Sequence, residues 1–375
     1  MVKYSILIPS SNGGKYLYYA VKSVLNNDYK NCEIIVSLNH TSDGSDKKIK
    51  KIKDKRLKII KTPKYFSMAR HYEWLIKKSK GEWISIIGDD DGVVNNFFDK
   101  IDEILNKFKH KNIEAISSAR AFYFWEGIEH IYGKTVVRYL DTQKTKIKNS
   151  KVELFKTLFG FSPYQNLPLL YTSGIVKKKI INQIIKKSKS RFYNEPNPDV
   201  YSALVITLFI KNFLRVEKPL FWMGTSIKSN AVNLINDLSE KKLDIKKNNF
   251  LNHSKKDGYH LSKRIDPYFW QLRLRSGFLF SAFYKVPKMI NKYHNNSFIN
   301  FMLCIFTITD FKMRRIPLNN YEKKFLKKRI KKFEYKNKFN YFIILLLSEF
   351  YILLNKFFNF FKNLNFRIQN YIYKL

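Results

Sequence analysis

The stretch GEWISIIGDDDGVV, residues 81–94, joins an apolar run to three consecutive carboxylates. The run Trp83–Ile87 is short and rich in Ile, which predicts a buried strand, and Gly88 separates it from the Asp residues at 89–91. The chain has a formal net charge of +40, with 70 Lys and Arg against 30 Asp and Glu, so acidic residues are scarce. Adjacent carboxylates repel each other unless a cation or solvent screens them. Three of them at the end of one strand therefore predict a functional site.

Strand and helix patterns alternate on both sides of this stretch. Short apolar runs predict strands at Tyr4–Pro9, Glu33–Ser37, Leu57–Ile60 and Trp83–Ile87. Apolar residues at helical spacing predict helices at Tyr16–Leu25, 46–53, Phe66–Lys78 and Asn95–Phe108. This alternation predicts an α/β fold with a mostly parallel, Rossmann-like sheet flanked by helices. Ligands of such sheets bind beyond the carboxyl ends of the strands, where Asn12 and residues 39–43 accompany the Asp cluster.

The second half of the chain changes character twice. Further strands are predicted in 113–140 and at Tyr171–Val176, and further helices at Ser150–Phe159 and from Asn197 to about Asn212. We expect the α/β domain to cover residues 1–224. Residues 225–262 are polar and rich in Lys and Asn, which predicts a linker, and residues 263–375 form a basic region expected to be mainly α-helical.

Composition limits the classes of partner and compartment. Two cysteines, Cys32 and Cys304, are too few for a disulfide framework or a cysteine-based metal site. The first residues, MVKYSILIPSS, lack the long apolar segment of a signal peptide, so we expect a cytoplasmic protein. The positive charge indicates an anionic partner, such as nucleic acid, acidic lipid or a phosphorylated substrate. The alternative is a compositional bias, because Lys, Asn, Ile, Phe and Tyr are all abundant together.

Three blocks of this chain together resemble the family 2 glycosyltransferases, which have the GT-A fold. The blocks are YSILIPSSNGGKYLYYAVKSVL (4–25), EIIVSLNHTSDGS (33–45) and FSMARHYEWLIKKSKGEWISIIGDDD (66–91). The resemblance covers roughly residues 3–215 and is strongest in 4–100. It implies a bacterial enzyme of polysaccharide or cell-envelope synthesis that takes a nucleotide-sugar as its donor.

The resemblance also implies positions that contact the nucleotide-sugar. Pro9 and Asn12 match the loop after the first strand that lines the nucleotide site. Asn39 falls where the family commonly has an Asp that contacts the base, and Arg70 falls where the family reads Ala-Arg-Asn near the sugar-nucleotide. The alternatives are that Asn39 is only a turn residue and that Arg70 is a solvated helix residue.

In the family's metal motif, the usual Asp-X-Asp-Asp reads Gly88-Asp89-Asp90-Asp91 here. The resemblance implies that Asp90 holds Mn²⁺ or Mg²⁺ against the diphosphate, that Asp89 faces the ribose or shares the ion, and that Asp91 is a further ligand or supports one. Hard oxygen ligands suit these cations. Gly88 replaces the first Asp, and we expect it to leave room for the nucleotide or a water. The alternative is an acidic loop, with Asp91 favoured by the next helix N-terminus.

Transfer with inversion needs a base that takes the proton of the acceptor hydroxyl. The family supplies this base from a later Asp, usually just before a helix. The matching stretch is FYNEPNPDVYSAL (192–204), so Asp199 is the expected base and Glu195 the second choice. The alternative is that Asp199 only stabilises the start of its helix.

The basic C-terminal region suggests a membrane surface. Residues 312–338 carry twelve Lys and Arg against two Glu, and residues 339–361 are rich in aromatic and aliphatic side chains. A Glu at position 349 opposes a spanning helix, so we expect an interfacial helix on anionic lipid, at the inner face of the plasma membrane. The alternatives are a buried helix or an oligomer contact. No nucleic-acid-binding motif is found, so no nucleic-acid partner is expected.

These observations predict an inverting transferase that moves a sugar from a nucleotide-diphosphate donor, UDP-linked by expectation, to a hydroxyl of a cell-surface glycan or lipid-linked oligosaccharide. Two other functions stay open at this point. One is a metal-dependent nucleotidyltransferase on a similar sheet, and the other is a non-catalytic basic binding protein.

Overall fold

A computed structural model describes residues 2–132, 144–229, 232, 249–264 and 275–312, with the isolated positions 347, 350 and 353. Within these residues no helix is long and apolar enough to cross a membrane. The predicted interfacial segment 339–361 lies outside the described residues apart from those three positions. The same is true of residues 233–248 in the predicted linker.

The described residues form one sheet of nine strands, and β1 to β4 follow the predicted runs closely. The strands are β1 (Tyr4–Ser10), β2 (Cys32–Leu38), β3 (Leu57–Lys61), β4 (Trp83–Ile86), β5 (Gly92–Val93), β6 (Ala115–Phe124), β7 (Thr145–Asn149), β8 (Gly174–Lys177) and β9 (Asn212–Thr225). Their order is β3-β2-β1-β4-β8-β6-β9-β5, and β7 also pairs with β9. Strands β1 to β4 are mutually parallel, as are β6 and β9.

The sheet is mixed because β8 runs antiparallel to both β4 and β6, while β5 and β7 run antiparallel to β9. The mostly parallel, helix-flanked α/β fold is confirmed, with these antiparallel strands as its additions. Strand β1 is buried at every residue, which explains its unbroken apolar pattern: a parallel strand covered on both faces has no solvent side.

Helices connect the strands and cover both faces of the sheet. They are α1 (Tyr16–Leu25), α2 (Ser45–Lys50), α3 (Met68–Lys78), α4 (Phe97–Lys107), α5 (Glu129–Tyr132), α6 (Ser150–Leu158), α7 (Lys178–Ser188), α8 (Pro198–Phe209), α9 (Asn249–Lys256), α10 (Arg275–Lys285) and α11 (Ser297–Lys312). Two large apolar clusters fill the space between helices and sheet. One includes α1 and α4 side chains, and the other includes α3, α7, α8 and α10 side chains.

Residues 249–259, which lie in the predicted linker, pack onto this domain. Asp257, just beyond α9, accepts a hydrogen bond from the Ser67 N–H (2.7 Å) at the start of α3 and pairs with Arg70 (3.0 Å). Tyr259 donates to Glu73 (3.0 Å), which lies one turn further along α3. Residues 249–259 therefore fix the amino-terminal half of α3 against the rest of the fold.

Candidate functional site

The carboxyl ends of β1, β2 and β4 meet at one edge of the sheet, and we call the groups gathered there the carboxyl-edge site. Strand β1 ends at Ser10, whose carbonyl accepts the Asn39 N–H (2.8 Å) from the end of β2. The Asp89 loop follows β4 on the other side of β1. The Ser10 hydroxyl donates to Asp89 Oδ2 (2.6 Å) and joins the two loops. The sheet topology thus brings the predicted strand-end residues together.

Asp89 and Asp90 are half-buried and face this edge with little compensating positive charge. Loss of solvent, followed by the charge of Asp90, raises the pKa of Asp89 to about 7. Loss of solvent also raises the pKa of Asp90, although hydroxyls of Ser229 and Ser226 oppose the shift. Ser226 donates to Asp90 Oδ2 at 2.8 Å and Ser229 at 2.5 Å. A cation at this position would relieve both carboxylates.

Asp91 turns away from the edge into the protein. Its Oδ1 accepts the Gly224 N–H (2.8 Å) from β9, and its Oδ2 accepts the Gly88 N–H (2.8 Å) and the Thr172 hydroxyl. The side chain is 5% exposed. Both oxygens are therefore used in joining the loop to β9 and to the residue before β8, which is a supporting position.

Gly88, where the family motif has its first Asp, is packed against side chains. A Cβ built on Gly88 would lie 2.8 Å from Asp91 Oδ2, 2.8 Å from the Tyr171 hydroxyl and 3.2 Å from Asp90 Oδ1. The expectation that Gly88 leaves room for a nucleotide or a water is therefore corrected, because Asp91 and Tyr171 fill that space. Gly224 meets a similar limit, since its Cβ would lie 1.6 Å from the Asp90 carbonyl oxygen.

The loop after β1 is tied to the loop after β2 by Asn12, which has a left-handed backbone with φ of 60°. Its Oδ1 accepts the N–H groups of Ser42 (2.7 Å) and Asp43 (3.3 Å). Asp43 in turn accepts the Gly14 N–H (2.9 Å). Asn12 thus holds the loop after β1 in shape. Its Nδ2 has no hydrogen-bond acceptor among the described residues.

Lys228 reaches this loop pair from the segment that follows β9. Its Nζ donates to Asp43 Oδ2 and to the Asn12 carbonyl, each at 2.8 Å, and the side chain stays 46% exposed. Loss of solvent would raise the pKa of Asp43, but hydrogen bonds from Lys228, Ser45 and Gly14 outweigh it and hold that pKa well below its usual range. An exposed ammonium is therefore held at the paired loops that follow β1 and β2.

The residues Ser226–Ser229 form one bridge across the site, with Ser226 and Ser229 on Asp90 and Lys228 on Asp43. Trp125 supports the same region by donating its indole N–H to the Asp90 carbonyl (3.0 Å). Sequence reasoning missed this bridge, since it assigned residues from 225 onward to a polar linker. The signal in the sequence was the presence of two Ser and one Lys within residues 226–229, which can bind carboxylates.

Asn39 and Pro9 lie at the edge but offer little to a ligand. The Asn39 amide donates to the Phe66 carbonyl (2.8 Å) and accepts the Phe66 N–H (2.9 Å), and Thr62 also donates to its oxygen (3.2 Å). Asn39 is 4% exposed, so its side chain serves the loop before α3. Pro9 lies within β1, opposite Ser37, and is buried.

Arg70 is engaged by the segment after α9. Its guanidinium pairs with Asp257 (3.0 Å) and stacks on the Phe66 ring at 4.6 Å. Nearby, the half-exposed ring of Tyr65 contacts His40 and His253 at 6.2 and 4.9 Å between ring centroids. This part of the carboxyl edge is thus lined by aromatic and imidazole rings that the sequence did not predict.

Asp199 lies in the first turn of α8, where Pro198 begins the helix without needing a backbone donor. Its Oδ2 accepts the Tyr164 hydroxyl (2.6 Å), and the residue is partly exposed. Loss of solvent raises the pKa of Tyr171 well above its usual value, and the charges of Asp91 and Asp199 add to this. The charges of both the Asp loop and Asp199 therefore act on Tyr171.

Glu195 occupies a different environment from Asp199. It is fully buried, and its carboxyl accepts the backbone N–H (2.6 Å) and the side-chain amide (3.2 Å) of Asn197. Burial raises its pKa to about 8. Glu195 is thus shielded from any acceptor, and its contacts fix the turn that presents Asp199.

The donor set at this edge fits a divalent cation that arrives with its own ligands. No group of three or more His, Cys, Asp or Glu is arranged as a metal site within the described residues. Mg²⁺ is commonly held by one or two carboxylates, with phosphate oxygens and water completing its shell. The hydroxyls of Ser226 and Ser229 both donate to Asp90 Oδ2, and Asp89 precedes Asp90 directly in the loop. These two residues fit such an ion, whereas the Asp91 oxygens are already in use.

Comparison with known proteins identifies the family of this domain. Residues 5–165 match the family described as glycosyl transferase family 2. Glycosyltransferase GlyG of Streptococcus pneumoniae is 26% identical over 202 residues, covering 51% of this chain and 62% of GlyG. The Escherichia coli protein named UDP-Glc:alpha-D-GlcNAc-diphosphoundecaprenol beta-1,3-glucosyltransferase WfaP is 34% identical over 87 residues, covering 23% of this chain and 35% of WfaP.

A solved structure of S. aureus TarS residues 1–349, in complex with UDP-GlcNAc, superposes with a TM-score of 0.45 and 12% identity, over 83% of this chain and 89% of TarS 1–349. This chain spans less than two thirds of the two sequence relatives above. The family match covers the residues that build β1 to β4 and the Asp loop. Residues 5–165 therefore form a family 2 glycosyltransferase domain.

Proposed function

We propose that this protein transfers a sugar, with inversion, from a UDP-linked donor to a hydroxyl of a cell-surface glycan or lipid-linked oligosaccharide. The observation that carries the proposal is the hydrogen-bonded junction at the carboxyl edge. There Ser10 joins Asp89, and the segment Ser226–Ser229 holds Asp90 through its serines and the Asn12 loop through Lys228. A nucleoside diphosphate with a divalent cation complements both the carboxylates and the ammonium. UDP is chosen because WfaP is named for a UDP-Glc donor.

In this proposal Asp90, with Asp89 beside it, holds the cation at the diphosphate. A bound Mn²⁺ or Mg²⁺ would offset the charge that develops on the leaving nucleotide. The exposed Lys228 ammonium offers the diphosphate a second cation. In this proposal the uracil ring stacks on the half-exposed ring of Tyr65. The amide of Asn39 does not bind the base, because it is already paired with the backbone of Phe66.

Asp199 is the base in this proposal, because it is partly exposed at the start of α8 and Tyr164 holds its Oδ2. The acceptor hydroxyl loses its proton to Asp199 Oδ1 as it attacks the anomeric carbon, while Oδ2 holds the Tyr164 hydroxyl (2.6 Å). Tyr164 thereby fixes the carboxylate orientation. Attack from the face opposite the leaving diphosphate gives a product of inverted configuration.

The first test offers the full-length protein a panel of nucleotide-sugars and follows slow hydrolysis with and without Mn²⁺. We expect release of a nucleoside diphosphate with the UDP-linked donors. Asp90→Asn should lower the rate by at least about a hundredfold, because the ion supplies several kcal/mol of charge stabilisation. Asp99→Asn, at an exposed position in α4, is the matched control and should leave the rate unchanged.

Two outcomes would replace the proposal. Release of pyrophosphate would indicate a nucleotidyltransferase, and no turnover of any donor, with Asp90→Asn unchanged in every assay, would indicate a basic binding protein. Inversion is tested separately by NMR of the transferred anomer. Asp199→Asn should abolish transfer while leaving the donor Kd within about twofold, and transfer at the normal rate would assign the base elsewhere.

We also propose that the protein is peripheral on the cytoplasmic face of the plasma membrane, held by the basic region that begins near Lys312. The support is the charge of residues 312–338, which include twelve Lys and Arg but two Glu. Polybasic segments of this kind are attracted to anionic lipid. A chain ending at residue 312 should partition onto anionic vesicles far less than the full chain. Equal partition would remove this proposal and leave the transferase proposal standing.

A further inference from the structure

A pocket of about 440 Å³ opens at the edge of the sheet opposite the carboxyl-edge site. It lies beside Asn149, where β7 ends, and Lys211, which precedes β9. Strands β4 and β9 point the same way, because β6 is parallel to β9 and both β4 and β6 are antiparallel to β8. The amino end of β9 is therefore remote from the Asp loop, and the pocket shares no residue with the carboxyl-edge site.

The pocket combines an apolar floor with a cationic rim. The floor includes Leu154, Leu208, Phe209, Ile210 and Ile290. The rim carries Lys151, Lys187, Lys211 and Lys292, all exposed. The described residues that line the pocket include no Asp or Glu. Glu153, adjacent in sequence to the floor, is already paired with Lys148 and Lys156, and within the described residues none of the four rim lysines pairs with a carboxylate.

A ribbon of aromatic rings continues from the pocket onto the surface. Tyr293 lines the pocket and contacts Phe155 (5.4 Å between centroids), which stacks on Phe159 (5.8 Å), which meets Phe298 (6.1 Å). Phe298 is 61% exposed. The rim lysine Lys151 stands 5.7 Å over the Tyr293 ring, so charge and aromatic surface meet at the pocket mouth.

Two further apolar side chains are exposed next to pocket residues. Val152 follows Lys151 and is 49% exposed, and Met289 precedes Ile290 and is 53% exposed. Apolar side chains beside free ammonium groups are the composition of surfaces that sit at the lipid headgroup level. The basic segment 312–338 of this chain has the same sign of charge as the rim, which opposes its binding there.

We propose that this pocket and the adjoining ribbon dock the protein on anionic lipid, independently of the C-terminal segment. The four rim lysines contact the lipid phosphates, while Val152, Met289 and Phe298 enter the interfacial layer. The carboxyl-edge site lies at the other end of the strands, so docking leaves it open to a nucleotide-sugar from solution.

The test measures partition of the full-length protein onto vesicles of phosphatidylglycerol and phosphatidylcholine, and onto phosphatidylcholine alone. Each lysine near an acidic surface contributes about fivefold to binding, so Lys187→Gln with Lys211→Gln should lower partition about 25-fold on the anionic vesicles. The matched control is Lys107→Gln with Lys109→Gln, at the end of α4, whose apolar face packs in the other core cluster. The control should change partition by less than threefold, roughly.

Phe298→Ser tests the apolar part and should lower partition on anionic vesicles by about fivefold or more, since the ring, largely exposed to water in the free protein, moves into the interfacial layer on docking. Unchanged nucleotide-sugar turnover in every variant verifies the fold. Equal losses in the pocket and control variants, or partition onto neutral vesicles as strong as onto anionic ones, would overturn the proposal. So would loss of short-RNA binding in the pocket variant with vesicle partition unchanged, because it would assign the lysines to nucleic acid.

Discussion

Asn replacements of Asp90 and Asp91, made one at a time, should have different effects. We expect Asp90→Asn to lose ion binding and Asp91→Asn to lose stability. The two side chains differ in the kind of donor they meet. Among the described residues, the hydroxyls of Ser226 and Ser229 donate to the Asp90 side chain, whereas Asp91 accepts backbone N–H groups from Gly88 and Gly224. A hydroxyl can rotate and accept from an Asn amide, but a backbone N–H can only donate.

The expected magnitudes follow from this difference. The two N–H groups at Asp91 bind different oxygens, so either orientation of an Asn turns its NH₂ toward one of them. One charge-assisted hydrogen bond is lost and one buried N–H is left without an acceptor, which costs about 2–4 kcal/mol. At about 2–4 °C per kcal/mol for a domain of this size, Asp91→Asn should lower Tm by roughly 5–15 °C. Asp90→Asn should lower it by less than about 2 °C, because its partners adapt and a poorly compensated buried charge is removed.

The assay is thermal melting of the wild type and both variants, with and without Mn²⁺ and UDP. We expect ligand to raise the Tm of the wild type and of Asp91→Asn, and to leave that of Asp90→Asn unchanged. Thr172→Val removes the third donor to Asp91 and should give a smaller drop than Asp91→Asn. If Asp91→Asn melts with the wild type but loses its response to Mn²⁺ and UDP, Asp91 is a ligand and our reasoning is refuted.

Three further predictions concern other positions. Gly88→Ala should cost about 1–3 kcal/mol in urea unfolding, since its Cβ would crowd Asp91 and Tyr171, and an unchanged midpoint would contradict this packing. Lys228→Met should raise the donor KM about tenfold, as expected for the loss of a hydrogen bond to a charged group. It should change the free energy of unfolding by less than about 1 kcal/mol, because the ion pair between Lys228 and Asp43 is exposed. An unaltered KM would show that Lys228 does not contact the diphosphate. Burial raises the pKa of Glu195 to about 8, so the folded state keeps a proton that the unfolded state releases near pH 4.5, and stability should fall as pH rises from about 5 to 8. In Glu195→Gln the decline of Tm over that range should be shallower, and an identical decline would show that Glu195 does not titrate as described.

Local pattern determined much of the fold. Helix α1 has the predicted bounds, and strands β1 to β4 lie within a residue or two of theirs, because a strand buried on both faces needs a continuous apolar run. Strand β9 was not predicted. Its sequence, NFLRVEKPLFWMGT, has no steady period of two, since it pairs with β6 along one side and with β7 and then β5 along the other. Those neighbours, not its own pattern, decide which residues are buried.

The sequence predicted the site residues that directly follow a strand. It did not predict those that reach the site through contacts between residues far apart in the chain. Asn12 and Asn39 both occupy turns after strands, and the sequence does not distinguish them. The structure does, because Asn12 accepts from the Ser42 backbone at the exposed edge, while Asn39 is paired on both sides with Phe66 and buried. The contact between Asp90 and Ser226–Ser229 joins residues about 140 positions apart and exists only because β9 ends beside the Asp loop.

The missing first Asp of the motif is one of several coupled features of this loop. The space that a side chain at Gly88 would need is filled by the Asp91 carboxylate and the Tyr171 hydroxyl. Asp91 is held there by Gly224, which must itself lack a side chain because the Asp90 carbonyl lies against it. A Gly88→Asp replacement alone would therefore meet a carboxylate and a phenol instead of a ligand. Restoring the usual motif requires moving Asp91 and Tyr171 as well, and for this reason our proposal assigns the ion to Asp89 and Asp90.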